Sequence, residues 1–364
     1  MSEIQSGFVT ALYLFDVARS IDLVAIEAQV GGQAARASLG DKSAGPSRSR
    51  YVTPPLVVDG HVLGCTDVDG FRSRVKFYDY GVVSLTLTRA FSGSWADLVA
   101  LGQTLIENEP LEEHAARTCD HIVSVVASSL ADQHRSFLSE DYLVFAVTAL
   151  ETPSTSQDLI VNHGQDIAQL LRGERQRLSA QERDFVLSQS LSYLAEDLVV
   201  PAWNAAWIYD TEGAALAAVE ILELANSQLL EFRYHDELLE GELTRLYADL
   251  QHPRWRDRLA LRQRRRAVLE VQSLLIDVNE LTDRLENTVK FAGDPYAARL
   301  LSNASARLGV QHWKTSVDEK LRTLEDIRRF AVEQTGMSQA NLLELIIVAI
   351  LVIELGLFFA GIMH

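Results

Sequence analysis

The chain has 364 residues, 48% of them hydrophobic and 23% charged, which is enough for two globular domains or for one large domain with an appendage. Its formal net charge of −17 argues against a protein that coats nucleic acid generally, although it leaves room for a local basic patch. The two cysteines, Cys65 and Cys119, have no zinc-type spacing, so neither a disulfide framework nor a structural zinc site is indicated. We expect no cofactor.

Strands and helices mix through the first 212 residues. Alternating apolar residues rich in β-branched side chains predict the strands, and 3.6-residue periodicity predicts the helices. Strands are expected at 7–15, 55–66, 73–89 and 140–150 and in two runs that end near Ile208, and helices are expected at 20–30, from Ser94, at 111–131, at 157–172 and from Ser179. This mixture predicts one α/β or α+β domain over residues 1–212.

The pattern changes to heptad spacing of apolar residues over 213–336. The first seam consists of Ala215, Ala218, Leu222, Ala225, Leu229, Phe232, Leu239, Leu243, Leu246 and Leu250. A second seam runs from Val268 to Val289, and a third runs from Trp313 to Ile327. These seams predict long antiparallel helices in a coiled-coil-like stalk. An ordinary helical domain without an oligomeric role is the alternative.

The C-terminal segment, 337–364, contains an apolar stretch from Leu345 to Met363. As a helix its 19 residues would be about 28 Å long, which matches a hydrocarbon core of about 30 Å. The stretch predicts a single-pass transmembrane anchor, with a buried core helix as the alternative. Because the N-terminus lacks the basic start of an export signal, we expect the body in the cytoplasm, held at a bacterial inner membrane.

Glu354 interrupts this apolar stretch near its middle. Three roles stay open for its carboxyl group: a protonated hydrogen-bond donor between the helices of an oligomer, a tolerated passenger, or part of a proton or ion path. Gly356 and Ala360 have the small-residue spacing of closely packed helices. Together with Gly361, these residues form the predicted membrane and oligomer contact.

Basic residues concentrate between the first two seams. The arginine patch consists of Arg254, Arg256, Arg258, Arg262, Arg264, Arg265 and Arg266. Beside Trp255, such arginines could hold RNA phosphate and stack on a base, or they could hold anionic lipid. In a pair of antiparallel helices they would instead form ion pairs with Glu237, Glu240 and Glu242, and we favour this interpretation.

Motifs for catalysis are missing from the sequence. It contains neither GxSxG nor HExxH. His114 and His121 share a face of one predicted helix, but Cys119 lies about 140° away from that face, so these metal-ligand types do not converge. We therefore expect no metal site and no enzymatic activity. A hydrolase or ligand-binding enzyme within the first 212 residues is a further alternative.

Several segments resemble the Required for Meiotic Nuclear Division family. They are FYDYGVVSLTL at 77–87, FRYHDELLEGELTRLYADL at 232–250, VLEVQSLLIDVNELTDRL at 268–285, DEKLRTLED at 318–326 and LLELIIVAILVIELGLF at 342–358. The resemblance implies a protein without enzymatic activity, a terminal hydrophobic anchor in which Glu354 takes the family's acidic position, and self-association. The family's mitochondrial members are inner-membrane proteins that form large homo-oligomers and support organellar translation.

The sequence thus predicts an α+β protein with three parts: a cytoplasmic α/β domain at 1–212, a helical coiled-coil-like stalk at 213–336 and a transmembrane anchor at 337–364. The predicted function is that of a non-enzymatic membrane-anchored scaffold that self-associates through its stalk and anchor. Its expected partners are the lipid bilayer and further copies of the chain. The alternative is a membrane-tethered RNA- or ribosome-binding protein that supports translation.

Overall fold

A computed structural model describes residues 3–37, 48–106, 108–251, 276, 278, 289–292, 294–327 and 329, with the backbone alone for 48–51, 249–251 and 289–292. The described residues divide into two compact units. The α/β unit lies within Met1–Tyr234 and Leu281–Lys314, and the helical unit lies within His235–Glu280 and Thr315–His364.

Strands of the α/β unit form one mixed sheet and a separate strand pair. In chain order the strands are β1 (Ile4–Ile21), β2 (Ala34–Arg36), β3 (Arg48–Tyr51), β4 (Leu56–Asp59), β5 (Arg72–Phe77), β6 (Val82–Gly93), β7 (Leu130–Leu150), β8 (Leu198–Pro201), β9 (Ala205–Tyr209) and β10 (Val289–Ala292). The sheet has the order β2-β4-β5-β6-β1-β7-β9-β8, and β3 pairs with β10. Neighbouring strands of the sheet are antiparallel, except that β7 and β9 run parallel.

Strand β1 lies inside the sheet and is buried on both faces. Every residue from Phe8 to Ala18 is buried. A nearly continuous apolar run of this kind is typical of a strand that is covered on both sides. Because side chains alternate along a strand, Val9 and Ala11 face the main hydrophobic core, whereas Leu12 and Leu14 face the opposite side.

The described helices are shared between the α/β unit and the helical unit. They are α1 (Leu23–Val30), α2 (Trp95–Ile106), α3 (Glu109–Val125), α4 (Ser156–Arg172), α5 (Ala180–Leu187), α6 (Glu212–Gln251) and α7 (Pro295–Arg307), and residues 310–327 are helical as well. Helices α1 to α5 contribute to the main core. Their ends follow local capping chemistry: Thr155 and Asp158 form a capping box on α4, and the Ser179 side chain accepts from a backbone N–H of α5.

Helix α6, the longest in the described part of the chain, confirms the helix predicted from residue 213. Its 40 residues correspond to a length of about 60 Å. The part up to Tyr234 belongs to the α/β unit, where residues of the predicted seam such as Leu222 and Ala225 are buried. The part from His235 belongs to the helical unit.

Several element boundaries were predicted wrongly. The strand expected at 55–66 ends at Asp59, and the single strand expected at 73–89 is two strands, β5 and β6, with a turn between them. The helix expected to reach residue 131 ends at Val125, and the strand expected at 140–150 is the second half of β7, which begins at Leu130. The first half of β7 is polar, and it pairs with the extension of β1 from Asp16 to Ile21. Backbone pairing with a neighbouring strand therefore decides this segment, because its own hydrophobic pattern is weak.

The structure contradicts the membrane anchor that the sequence predicted. In the part of the chain that the structure describes, no helix combines the length and the apolar character needed to cross a bilayer. Helix α6 is long enough, but charged residues such as Glu223 and Arg233 interrupt it, and such groups are costly in hydrocarbon. Residues 337–364, from which the anchor was predicted, lie outside the described residues. The predictions of a C-terminal transmembrane helix, a tail anchor and a single-pass membrane localisation are therefore wrong.

Candidate functional site

The residues that the sequence singled out lie outside the described part of the chain. This holds for Glu354, Gly356, Ala360 and Gly361 of the predicted contact, and for the whole arginine patch within 254–266. Their roles stay predictions. The structure instead shows a set of charged residues, between α6 and the sheet, that the sequence patterns did not predict.

Polar side chains, most of them buried and the others half-buried, line the interface between α6 and the sheet; we call them the polar stripe. The helix contributes Glu220, Glu223, Ser227, Glu231 and Tyr234, and the sheet side contributes Asp16, Lys76, Tyr80 and His134. The helical members follow one another at spacings of three or four residues, which places them on one face of α6. All of them lie within the α/β unit.

At one end of the polar stripe, Lys76 of β5 lies between two carboxylates of α6. Its ammonium nitrogen Nζ is 2.5 Å from Oε2 of Glu220, and it also forms an ion pair with Glu223. The side chains of Lys76 and Glu223 are only 3% and 2% exposed, so solvent screens their interaction little.

One ammonium group cannot neutralise two carboxylates, so Lys76, Glu220 and Glu223 together carry an excess of negative charge when all three are ionised. Burial lowers the pKa of Lys76, but attraction to Glu220 and Glu223 outweighs burial and raises it overall. The pKa of Glu223 is raised, because burial and the negative charge of Glu220 outweigh the attraction to Lys76. One ammonium group therefore keeps its charge, while Glu223 binds a proton more readily than an exposed glutamate does.

The middle of the polar stripe is a pair of hydroxyl groups. The phenol oxygen of Tyr80, in the turn between β5 and β6, lies 2.7 Å from Oγ of Ser227. Since Ser227 donates its own proton to the carbonyl oxygen of Leu224, 2.8 Å away, the Tyr80 hydroxyl is the donor between them. Both side chains are buried, and burial raises the pKa of Tyr80 well above its usual value.

The other end of the polar stripe is a chain of ionisable groups. Oδ1 of Asp16 lies 3.1 Å from Nε2 of His134, and Nδ1 of the same ring lies 3.3 Å from the hydroxyl oxygen of Tyr234. Burial raises the pKa of Asp16, although the hydrogen bond and charge of His134 oppose this. Burial, followed by the negative charge of Asp16, raises the pKa of Glu231 well above its usual value.

The polar stripe thus contains more carboxyl groups than cations. Asp16, Glu220, Glu223 and Glu231 face one ammonium group and one imidazole. Removing charges from water is expensive, and an apolar interface of the same shape would often be as stable. We infer that such a set fixes the position of α6 along the sheet, because these groups meet their partners only in one register.

Two signals in the sequence could have indicated the polar stripe. Lys76 alternates with Val75 and Phe77 in a strand that is otherwise apolar at its C-terminal end, and Glu223 and Glu231 interrupt the buried side of α6. A charged residue on a buried face usually has a partner. The sequence does not say where that partner is, because Lys76 and Glu223 are 147 residues apart.

The residues weighed as metal ligands do not come together in the structure. The Cys119 side chain is buried in the main core, where burial raises its pKa. Nε2 of His121 lies 3.0 Å from the carbonyl oxygen of Leu63 instead. Among the described residues, no group of three or more histidine, cysteine, aspartate or glutamate side chains is placed to hold a metal ion.

Comparison with known proteins relates the α/β unit to one family. A family profile described as "Uncharacterized protein MJ0711, N-terminal domain" matches residues 6–215. A similar curated protein, "Uncharacterized protein MJ0711" of Methanocaldococcus jannaschii, is 24% identical over 223 residues, which cover 61% of this chain and 67% of that protein. No solved structure matches. The profile includes the sheet side of the polar stripe but not its residues on α6. The chain belongs to the family of the MJ0711 N-terminal domain.

Proposed function

We propose that this protein is a non-enzymatic scaffold, in which the α/β unit holds α6 in a defined register and the helical unit binds further copies of the chain. The observation that carries the proposal is that the charged groups of the polar stripe are buried and paired with one another. Lys76 is buried against Glu220 and Glu223, and Asp16 is buried against His134. Charged groups engaged in this way position a helix, whereas catalytic groups need to reach a substrate.

Within the helical unit, part of the apolar seam of α6 is already buried. Leu239 of α6 is buried, and so is Leu321 of the helix at 310–327. Nζ of Lys320 lies 2.9 Å from Oδ1 of Asp236 and 2.9 Å from Oε2 of Glu240. The pKa of Lys320 is raised because hydrogen bonds to Glu240 and Asp236 outweigh its burial. Contact between copies would therefore use other residues than these seam leucines.

Large apolar side chains on the surface of the helical unit offer such a contact. Tyr247 is 48% exposed, and Ile276 is 57% exposed. Each could bury apolar area against a second copy at roughly 25 cal/mol per Å². The resemblance of the sequence to the Required for Meiotic Nuclear Division family also supports the proposed self-association.

The test is the mass of the full-length protein in solution, measured by light scattering after size exclusion over a wide range of concentrations. We expect a stable multimer, and we expect Tyr247→Glu combined with Ile276→Glu to shift it towards the monomer. Leu216→Glu is the matched control, because Leu216 is similarly exposed on the first turns of α6 but belongs to the α/β unit. A monomer at every concentration would reject self-association.

A further inference from the structure

Two arginines flank one exposed aromatic ring on the surface of the α/β unit. Phe185 of α5 is 52% exposed. The guanidinium carbon of Arg172, in the last turn of α4, lies 5.9 Å from the centre of its ring. The guanidinium carbon of Arg307, in the last turn of α7, lies 5.2 Å from the centre of the same ring. Three helices thus bring two cations to one ring, in a chain with a net charge of −17.

The two arginines differ in how their charges are balanced. Arg172 donates from Nε to Oε1 of Glu182 at 2.8 Å and forms an ion pair with it. In contrast, Nε and Nη2 of Arg307 are buried without a hydrogen-bond acceptor among the residues that the structure describes. Burial and the nearby positive charge of Arg172 lower the pKa of Arg307. Arg307 is therefore a cation that would gain from an anionic partner.

The chemistry of these groups indicates the kind of ligand. Nε and Nη2 form the edge with which a guanidinium group donates two parallel hydrogen bonds to a phosphate. Once a guanidinium group has moved off it, the Phe185 ring can stack on a second aromatic ring, as nucleic-acid bases do on phenylalanine. We propose that Arg307, Arg172 and Phe185 form a binding site for a nucleoside phosphate, separate from the proposed scaffold function.

Binding at this site requires a local rearrangement. Because the two donor nitrogens of Arg307 are covered by protein, the side chain must turn away from the Phe185 ring to meet a phosphate group. The flexible stem of an arginine allows this movement. The same movement uncovers the ring for the base of the ligand.

The probe is adenosine monophosphate, titrated into the full-length protein by calorimetry, with inorganic phosphate as the comparison. We expect Arg307→Gln to weaken adenosine monophosphate binding about tenfold or more, since a charge-assisted bidentate contact is lost. Phe185→Leu is expected to weaken adenosine monophosphate binding but to leave phosphate binding unchanged. Arg183→Gln is the matched control, because Arg183 is also on α5 but pairs with its neighbour Asp184 at 2.7 Å.

Three results would overturn the proposal. The first is no measurable binding of adenosine monophosphate by the unaltered protein. The second is equal affinity in the unaltered protein and in Arg307→Gln. The third is adenosine monophosphate bound no more tightly than inorganic phosphate. None of these results depends on the oligomeric state, so the scaffold function is tested separately.

Discussion

The replacement Lys76→Met tests whether the polar stripe holds α6 on the sheet. It removes the ammonium group but keeps much of the apolar stem of the lysine. Glu223, 2% exposed, then keeps no cation within the polar stripe, whereas Glu220 is 25% exposed and can be hydrated. Breaking one buried ion pair in this way costs about 3 to 5 kcal/mol of unfolding free energy. We expect a loss in this range for Lys76→Met.

The loss should depend on pH. A glutamate without its cation has an even higher pKa in the folded protein, so the folded protein retains a proton that the unfolded chain releases. Stability then falls as pH rises from the unfolded pKa towards the folded pKa. The effect of Lys76→Met should therefore be larger at about pH 8 than at about pH 5.

Urea unfolding followed by tryptophan fluorescence is the assay, because Trp95 and Trp207 are buried in the α/β unit. Adding Glu223→Leu to Lys76→Met should recover most of the loss, since the isolated buried carboxylate is then gone. Lys320→Met is the control: Lys320 also pairs with two carboxylates but is 19% exposed, so a loss of about 1 kcal/mol or less is expected. A loss below about 1 kcal/mol for Lys76→Met, or no recovery in the double variant, would refute this reasoning.

Two further predictions concern single groups, and a third concerns the arginine patch. Burial raises the pKa of Glu231 in the folded protein, so its contribution to stability is present at low pH and is lost as pH rises. Glu231→Gln should therefore stabilise the protein near neutral pH in urea unfolding and flatten its pH profile, and an equal gain from Glu237→Gln, at an exposed position of α6, would contradict this. Tyr80→Phe removes one buried hydrogen bond and should cost about 0.5 to 1.5 kcal/mol in urea unfolding, and an unchanged midpoint would contradict a stabilising role for this bond. If the arginine patch binds RNA, Arg264→Glu with Arg265→Glu should abolish salt-dependent retention on an RNA column, and unchanged retention would reject that site.

Local patterns accounted for most of the strands and helices. The apolar run around Leu12 predicted β1, the alternation after Gly81 predicted β6, and heptad spacing predicted α6. These predictions succeed because period 2 and period 3.6 follow directly from which face of an element is apolar. The first half of β7 was missed because its polar side chains carry no such period, and its strand conformation depends on pairing with β1.

The sequence by itself determined the acidic character of the chain, the α/β nature of its first part and the existence of a long helix from about residue 213. Tertiary structure alone decided that this helix covers one face of the sheet through charged groups, with Lys76 of β5 between Glu220 and Glu223 of α6. Periodicity shows which side of an element is buried, but it does not identify the surface that buries it. That choice depends on contacts between residues more than 140 positions apart, which only the folded chain brings together.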